Sequence, residues 1–279
     1  MKTLVIPDIH NKTAKVSAIL EHELYDQVIF LNDVFDDFGD TPEIAYRVAW
    51  WLKDRLQDPR NIFLHSNHTT SYMYDQNRNA YCSGFEDEKA RAIREVLTYS
   101  DFKQFKSYHV QDGILFTHAG LSNRLLKNHH VSPKNIVDLD YVADWLDGQT
   151  NEAINAYERG DPHFLFGAGY SRRGRYPVGG ITWADFHSDM VPTEFPQIFG
   201  HTPVKQSMFV CRERDTPKMK VVKANSIRGE ELDNYQWGLN LDTHMNGYAI
   251  LEDGLLSVME CIWDGNKLDN VTGVFHTHL

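Results

Sequence analysis

Five short apolar runs, each followed directly by a polar cluster, constrain the fold of this chain more than any other feature. Runs of this length between polar or turn-forming residues are typical of buried strands. Between the second and third runs, Pro42–Leu56 repeats apolar residues at helical spacing after the cap residues Asp40 and Thr41. This order predicts a strand, helix, strand unit. The five predicted strands are Thr3–Ile6, Gln27–Leu31, Asn61–Leu64, Gly113–Thr117 and Gln197–Phe199.

The remaining segments complete the prediction of the fold class. Helical patterns also cover about residues 86–97 and 123–160. From Gln206 onward the chain consists of short β runs, and Glu252-Asp253-Gly254 predicts a hairpin turn between the last two. These patterns predict an α/β fold of two packed mixed β-sheets flanked by helices. We expect a single domain over residues 1–279, with a helical cap inserted at about 123–165.

Composition and charge exclude several classes of protein. Lys and Arg number 28 against 39 Asp and Glu, and the formal charge of -11 disfavours non-specific binding to nucleic acid. The three cysteines show no paired spacing, which favours a reducing cytoplasm. The apolar stretch before Asp8 is too short for a signal peptide, and no stretch approaches a membrane span. We therefore expect a cytoplasmic protein that does not enter a membrane.

The polar clusters after the five runs predict a shared site. In open α/β sheets, ligands bind beyond the carboxyl ends of the strands, so clusters distant in sequence can converge there. A lone Asp-x-His is more often a capped turn, and an acidic run alone can be a solvated turn. Five such clusters in succession instead favour a metal site, since crowded carboxylates need cations nearby. The clusters are Asp8-Ile9-His10, Asn32 to Asp37, Ser66-Asn67-His68, Thr117-His118 and Gly200-His201.

The order and content of these clusters resemble the calcineurin-like metallophosphoesterases, in the branch of the phosphoprotein phosphatases and diadenosine tetraphosphatases. The family pattern is D-x-H, G-D-x-x-D, G-N-H, H and G-H, and the match runs from Asp8 to Thr202. The segment Asn240-Leu241-Asp242-Thr243 also resembles the family's following segment. The resemblance implies a hydrolase in which a water bridging two metal ions attacks a phosphate ester.

The resemblance also implies a metal-ligand set. It places Asp8 and His10 on a first metal, Asp33 as a bridge, and Asn67, His118 and His201 on a second. Oxygen and imidazole donors without a thiolate suit manganese, iron or zinc. The resemblance implies two bound divalent ions, and among these three metals it favours Mn²⁺.

Further residues are assigned roles by the same resemblance. His68 matches the histidine that protonates the leaving oxygen, and Asp36 matches the carboxylate that orients it. A structural donor and a turn cap are the alternatives for these two. A phosphate-binding arginine is expected among Arg172, Arg173 and Arg175, for which a solvated basic loop is the alternative.

The chain departs from the family pattern at five positions. Asn11, Asn32 and Ser66 stand where the family has glycine, and Thr69 stands where it has an acidic residue. Asparagine tolerates left-handed backbone, so these changes need not disturb the ligands. Asp37 stands where the phosphatases carry a phosphate-gripping arginine. It therefore weakens the case for protein phosphatase activity, either as a vacated clamp or as a partner of an arginine in the 171–175 loop.

Three functional hypotheses follow. The leading one is a phosphoesterase acting on a phosphoprotein, a nucleotide or a dinucleoside polyphosphate. A phosphodiesterase or nuclease of the same superfamily is a second, disfavoured because Pro203 stands where such enzymes add a histidine two residues after the last one. A non-catalytic binding module is a third, disfavoured by the complete ligand set and His68.

Overall fold

The computed structural model describes residues 1–214 and 216–279. These residues form twelve strands and eight α-helices. The strands are β1 (Lys2–Asp8), β2 (Gln27–Asn32), β3 (Asn61–Phe63), β4 (His109–Gln111), β5 (Ile114–Phe116), β6 (Gln197–Phe199), β7 (Met208–Glu213), β8 (Met219–Lys223), β9 (Tyr235–Asn240), β10 (Gly247–Glu252), β11 (Leu255–Asp264) and β12 (Lys267–His278). The helices are α1 (Thr13–His22), α2 (Pro42–Leu56), α3 (Asn67–Met73), α4 (Asp87–Arg94), α5 (Tyr99–Phe102), α6 (Asn123–Asn128), α7 (Leu139–Glu158) and α8 (Gly229–Leu232).

The strands form two six-stranded mixed sheets. The first has the order β12-β11-β10-β1-β2-β3, with β1 parallel to β2 and antiparallel to β10. The second has the order β4-β5-β6-β9-β7-β8, in which β5, β6 and β9 are parallel. The parallel strands are neighbours in each sheet, β1, β2 and β3 in the first and β5, β6 and β9 in the second. Their carboxyl ends are therefore available for a shared site.

Alternating side chains explain why the two sheets pack on each other. In β1, Leu4 and Ile6 belong to the core between the first sheet and its helices, whereas Val5 belongs to the core between the sheets. The same alternation holds in β2, where Ile29 faces the second sheet. The strands are apolar on both faces because both are covered. The predicted α/β fold of two packed mixed sheets flanked by helices is confirmed.

Helix α2 begins and ends at the residues predicted from its spacing. Pro42 occupies its first turn, and the Thr41 hydroxyl accepts a hydrogen bond from the Ile44 amide at 3.4 Å. The sequence analysis missed α1, α3, α5, α8, β4 and β12. Helix α3 is short and polar, so its pattern carries no apolar stripe, and strand β12 lies at a sheet edge with few buried residues.

The segment predicted as a cap contains α6 and the twenty-residue helix α7, inserted between β5 and β6. Val142, Leu146 and Ala153 of α7 join the same apolar core as the helices of the first sheet. Its action as a cap over a site stays a prediction. Among the residues that the structure describes, no helix combines the length and apolar character needed to cross a membrane.

Candidate metal centre

The five polar clusters lie at the carboxyl ends of five strands, as expected. Asp8 is the last residue of β1, and Asp33 directly follows β2. Asn67 opens α3 just beyond β3, while His118 and His201 lie two residues beyond β5 and β6. Both sheets therefore contribute side chains to one place.

Left-handed backbone turns these strand ends toward the centre. The φ angles are 41° at His10, 46° at Asp33, 66° at Asp36 and 70° at His201. Residues other than glycine adopt this backbone region uncommonly. Holding such a residue there costs about 1–3 kcal/mol of stability. Such a concentration of unfavourable backbone is typical of a functional site rather than of a stability element.

The residues that replace family glycines fit the same backbone. Asn11 and Asn32 have φ angles of 63° and 91°, the conformation for which asparagine was expected. Ser66 instead caps α3: its hydroxyl accepts from the Thr69 amide at 3.2 Å, and the Thr69 hydroxyl accepts from the Ser66 amide at 3.0 Å. The Asn32 amide donates to the Thr69 hydroxyl at 3.3 Å. Asn32, Ser66 and Thr69, three of the residues that depart from the family pattern, are thus hydrogen-bonded to one another beside Asn67.

Side-chain nitrogen and oxygen atoms of residues that follow strands of both sheets lie close together. His118 donates from Nδ1 to the carbonyl of Leu31 at 2.8 Å, which turns its Nε2 toward the centre. That nitrogen lies 3.3 Å from Asp33 Oδ2 and 3.2 Å from His201 Nδ1. Burial and the neighbouring His118 and Arg172 lower the pKa of His201 well below its usual range, so its ring is neutral. A cation at this point could bind all three side chains at once.

Asn67 Oδ1 supplies the sharpest test of whether a cation fits here. This buried oxygen lies 3.0–3.3 Å from Asp33 Oδ1, His118 Nε2, His201 Nδ1 and the Thr182 carbonyl oxygen, two of which are oxygens that can only accept. An amide nitrogen placed there by rotation would find four partners but has only two hydrogens. A divalent cation instead suits an amide oxygen, a carboxylate and two imidazoles together. The donor set therefore fits a metal ion.

His10 belongs to a second donor group. Its Nδ1 donates to the Asp36 carbonyl at 2.6 Å, which turns Nε2 toward Asp33 Oδ2 at 3.8 Å. His10, Asp33 and His68 form one group of potential ligands, and Asp33, His118 and His201 form another. Asp33 is common to both, in agreement with the bridging position that the resemblance implies.

Asp8 lies beside these groups, fully buried. Both carboxylate oxygens accept from the His201 amide, at 2.9 and 3.1 Å, and Oδ1 lies 3.6 Å from His118 Nδ1. A Cβ at Gly200 would overlap the Asp8 carboxylate, so only glycine allows this approach. Burial, together with the charges of Asp242 and Asp33, raises the pKa of Asp8 well above its usual range. A nearby cation would stabilise the ionised Asp8 carboxylate against this burial and repulsion.

Asp242 is a site residue that the sequence analysis did not assign. It follows β9 by two residues, is fully buried, and its Oδ2 has no hydrogen-bond partner among the described residues. Burial raises its pKa, against the opposing charge of His10. The rule that located the other clusters would have found it, because it too lies just beyond the carboxyl end of a strand.

Asp242→Asn tests whether this carboxylate serves a cation. In chelator-treated protein at neutral pH, removing one of three crowded buried carboxylates is expected to raise the free energy of unfolding, by about 1 kcal/mol or more. Urea unfolding with EDTA measures this gain, and the same experiment with Mn²⁺ should show a smaller metal-induced increase than in the wild type. Asp269→Asn, on exposed β12, is the control. A chelated variant less stable than the wild type would contradict the assignment.

His68 and Asp36 form a buried pair next to the metal-ligand groups. His68 Nδ1 donates to Asp36 Oδ2 at 2.7 Å, and its Nε2 lies 4.0 Å from Asp33 Oδ2. Burial alone would lower the pKa of His68, but Cys82, Asp33 and the hydrogen bond to Asp36 raise it well above its usual range. The raised pKa favours the protonated ring, whose Nε2 lies on the side of Asp33.

A buried lysine, which the sequence analysis also did not assign, holds Asp36 from the other side. Lys89, only 1% exposed, donates to Asp36 Oδ1 at 2.7 Å and to Asp40 Oδ1 at 3.0 Å. The Tyr72 hydroxyl donates to the same Asp36 oxygen at 2.6 Å. Burial would raise the pKa of Asp36, but the hydrogen bonds from His68, Lys89 and Tyr72 lower it. Asp36 is therefore an ionised carboxylate with a fixed orientation.

The three predicted arginines occupy different places. Arg172 lies next to the metal-ligand groups, where its NH2 donates to the hydroxyl of Thr202 at 3.0 Å and its Nε lies 2.9 Å from Asp185 Oδ2. Arg175 donates to Asn79 instead, at 2.8 Å. Arg173 adopts a left-handed φ of 60° at the end of a short turn. Geometry therefore separates Arg172 from the other two.

Asp37 pairs with a residue that the sequence analysis did not consider. Its Oδ2 accepts from Lys12 at 2.6 Å, whereas a pairing with an arginine of the 171–175 loop was one of the two alternatives left open by the sequence. Lys12 reaches Asp37 because the backbone turns sharply at His10 and Asn11. The Asp37 carboxylate is therefore neutralised locally.

Comparisons with known proteins give distant likenesses only. The chain matches no protein-family model and no curated protein. Among solved structures it is similar to a metallophosphoesterase from Sphaerobacter thermophilus, at 13% identity and a TM-score of 0.40, over 90% of this chain and 83% of that chain. It is also similar to a serine/threonine phosphatase from Saccharomyces cerevisiae, at 14% identity and a TM-score of 0.39, over 99% of this chain and 80% of that one. These values assign neither a family nor an activity.

Proposed function

We propose that this protein is a metal-dependent phosphoesterase. The observation that supports this most is the environment of Asn67 Oδ1. This oxygen lies 3.0–3.3 Å from polar atoms of Asp33, His118 and His201. Beside these atoms stands a cationic imidazole, His68, held by an ionised carboxylate. A cation site next to a proton donor is what hydrolysis of a phosphate ester requires.

Each residue of the centre has a role in this proposal. One divalent ion would be held by Asp8 and His10. A second would be held by Asn67, His118 and His201. Asp33 would bind both ions. When bound, the two ions supply activation of a water and neutralisation of phosphoryl charge. Mn²⁺ is the proposed ion, because the donor set is oxygen and imidazole without a thiolate and resembles that of manganese-dependent relatives.

His68 and Asp36 provide the proton for the leaving oxygen. Asp36 accepts from His68 Nδ1, which leaves the Nε2 hydrogen facing the centre. Lys89 and Tyr72 hold Asp36 in place, so the imidazole keeps its orientation while its charge changes. Donation from Nε2 converts a poor alkoxide leaving group into an alcohol.

Arg172 is the proposed phosphate contact. It lies beside His201 and is partly exposed, whereas Asp37, which replaces the family arginine, is occupied by Lys12. One guanidinium rather than two gives a weaker grip on a phosphomonoester dianion. We therefore propose a nucleotide or dinucleoside polyphosphate rather than a phosphoprotein as the substrate class.

A substrate panel with metal analysis tests the proposal. Purified protein with added Mn²⁺ is assayed on p-nitrophenyl phosphate, bis-p-nitrophenyl phosphate, a phosphopeptide and diadenosine tetraphosphate. Metal content is measured on the same samples, and about two equivalents are expected. Hydrolysis of none of the four together with no bound metal would favour the binding module, and preference for the diester would favour the nuclease.

Arg172→Ala is expected to raise KM for the best substrate of the panel by about tenfold or more, with a smaller effect on kcat, because a charge-assisted hydrogen bond to phosphate is lost. Steady-state kinetics measure the change. Arg173→Ala and Arg175→Ala are matched controls on the same loop. Equal KM values for all three variants would remove Arg172 from the phosphate site.

A further inference from the structure

Cys82 lies against the His68–Asp36 pair and has no role in the proposed reaction. Its Sγ is 3.3 Å from His68 Nδ1 and 3.9 Å from Asp36 Oδ2. These two atoms are the ones that share the hydrogen bond of the pair. Cys82, His68 and Asp36 form a third group of potential metal ligands, separate from the two that contain Asp33.

The spacing of the three donor atoms is close to that of a zinc site. Tetrahedral zinc with bonds of about 2.0–2.3 Å places its ligand atoms about 3.3–3.8 Å apart. The Sγ–Nδ1 and Sγ–Oδ2 distances are 3.3 and 3.9 Å. The Nδ1–Oδ2 distance is shorter, 2.7 Å, because a proton lies between these atoms. An ion that takes the place of this proton would require the two atoms to separate by about 0.6 Å.

The surroundings hold these donors in position. Asp36 uses its other oxygen, Oδ1, for Lys89 and Tyr72, which leaves Oδ2 on the side of His68 and Cys82. Gly84, two residues after Cys82, packs directly on Asp36, since an added Cβ would lie only 3.0 Å from Asp36 Cβ. Cys82 is partly exposed, which provides a path for an ion.

The other two cysteines differ from Cys82 in their exposure and surroundings. Cys211 and Cys261 are buried in apolar cores, and burial raises the pKa of each thiol to about 12. Neither belongs to a group of potential ligands among the described residues. They are therefore suitable controls for any chemistry assigned to Cys82.

We propose that Cys82 Sγ, His68 Nδ1 and Asp36 Oδ2 form an inhibitory site for a thiophilic divalent cation, specifically Zn²⁺. Binding releases the Nδ1 proton of His68 and the thiol proton of Cys82 to solvent, since both atoms must present lone pairs to the ion. The hydrogen bond that orients His68 is then replaced by two metal bonds. The regulatory effect rests on the proposed phosphoesterase function, whereas ion binding at these three residues does not.

A spectroscopic experiment tests binding without reference to activity. Co²⁺, which absorbs light where Zn²⁺ does not, is titrated into Mn²⁺-loaded protein in the presence of a non-thiol reductant. The Asp33 groups contain no sulfur, so a thiolate-to-cobalt charge-transfer band reports Cys82 alone. We expect this band in the wild type and in Cys261→Ala, and its loss in Cys82→Ser. Absence of the band in the wild type, or its survival in Cys82→Ser, would overturn the site.

An activity experiment tests the inhibition. Zn²⁺ added to Mn²⁺-loaded enzyme is expected to lower turnover by up to about 100-fold, the scale of losing a general acid. Relative to its own rate with Mn²⁺, Cys82→Ser should resist Zn²⁺, while Cys261→Ala should remain sensitive. Equal sensitivity of all three proteins would place the inhibitory zinc elsewhere and overturn the regulatory part. A protein that hydrolyses no ester but shows the cobalt band would refute the proposed function and leave the site standing.

Discussion

Asp33→Asn is expected to lower turnover by at least about 1,000-fold and to remove at least one equivalent of metal. Asp33 belongs to both donor groups, and its carboxylate lies 3.3 Å from His118 Nε2 and 3.8 Å from His10 Nε2. An amide keeps the shape of the side chain but supplies no charge. Kinetics with Mn²⁺ and elemental analysis of the dialysed protein measure the two effects.

The control for this change is Asp269→Asn, which removes a carboxylate from exposed β12 and should leave both readings unchanged. Thermal unfolding with EDTA separates a folding defect from a metal defect. An Asp33→Asn variant that keeps two metals and full turnover would refute the bridging assignment.

His68→Asn is expected to lower kcat by about 100-fold or more while metal content stays constant. The loss should depend on the substrate. A good leaving group such as p-nitrophenol needs little protonation, so its hydrolysis should fall less than that of an alkyl phosphate. Comparing kcat across leaving groups of increasing pKa measures this dependence.

His130→Asn is a matched control, because His130 is exposed and its φ of 59° suits asparagine. It should behave as the wild type on every substrate. Equal losses on good and poor leaving groups in His68→Asn would instead assign His68 to structure or to phosphate binding.

Periodicity and strand-end position predicted the parts of the fold that depend on local sequence. Helix α2 has a proline, a cap and an apolar stripe, and the structure places its ends at the predicted residues. The clusters from Asp8 to His201 converge because parallel strands share an edge, which needs no knowledge of side-chain geometry. Asp242 was missed because the same rule was not applied to the antiparallel-looking last third of the chain.

Partners set by tertiary packing could not be predicted in this way. Lys89 lies 53 residues beyond Asp36 on a helix whose other charged residues face solvent, so no local pattern marks it as buried. The same reason explains why Lys12 was not among the alternatives considered for Asp37. Long lysine side chains can reach partners from several elements, and only the packed structure shows which one they reach.

Strand β1 lies between β2 and β10, and this arrangement has a consequence for synthesis on the ribosome. Lys2 is paired with Glu252, so the middle of the first sheet closes only after residues up to about Glu252 have been translated. Until then β1 presents an open edge, which favours pairing between nascent chains and engagement by chaperones. A premature stop codon before Gly247 would therefore remove an inner strand rather than a tail, and its product should aggregate although it retains every residue of the five clusters.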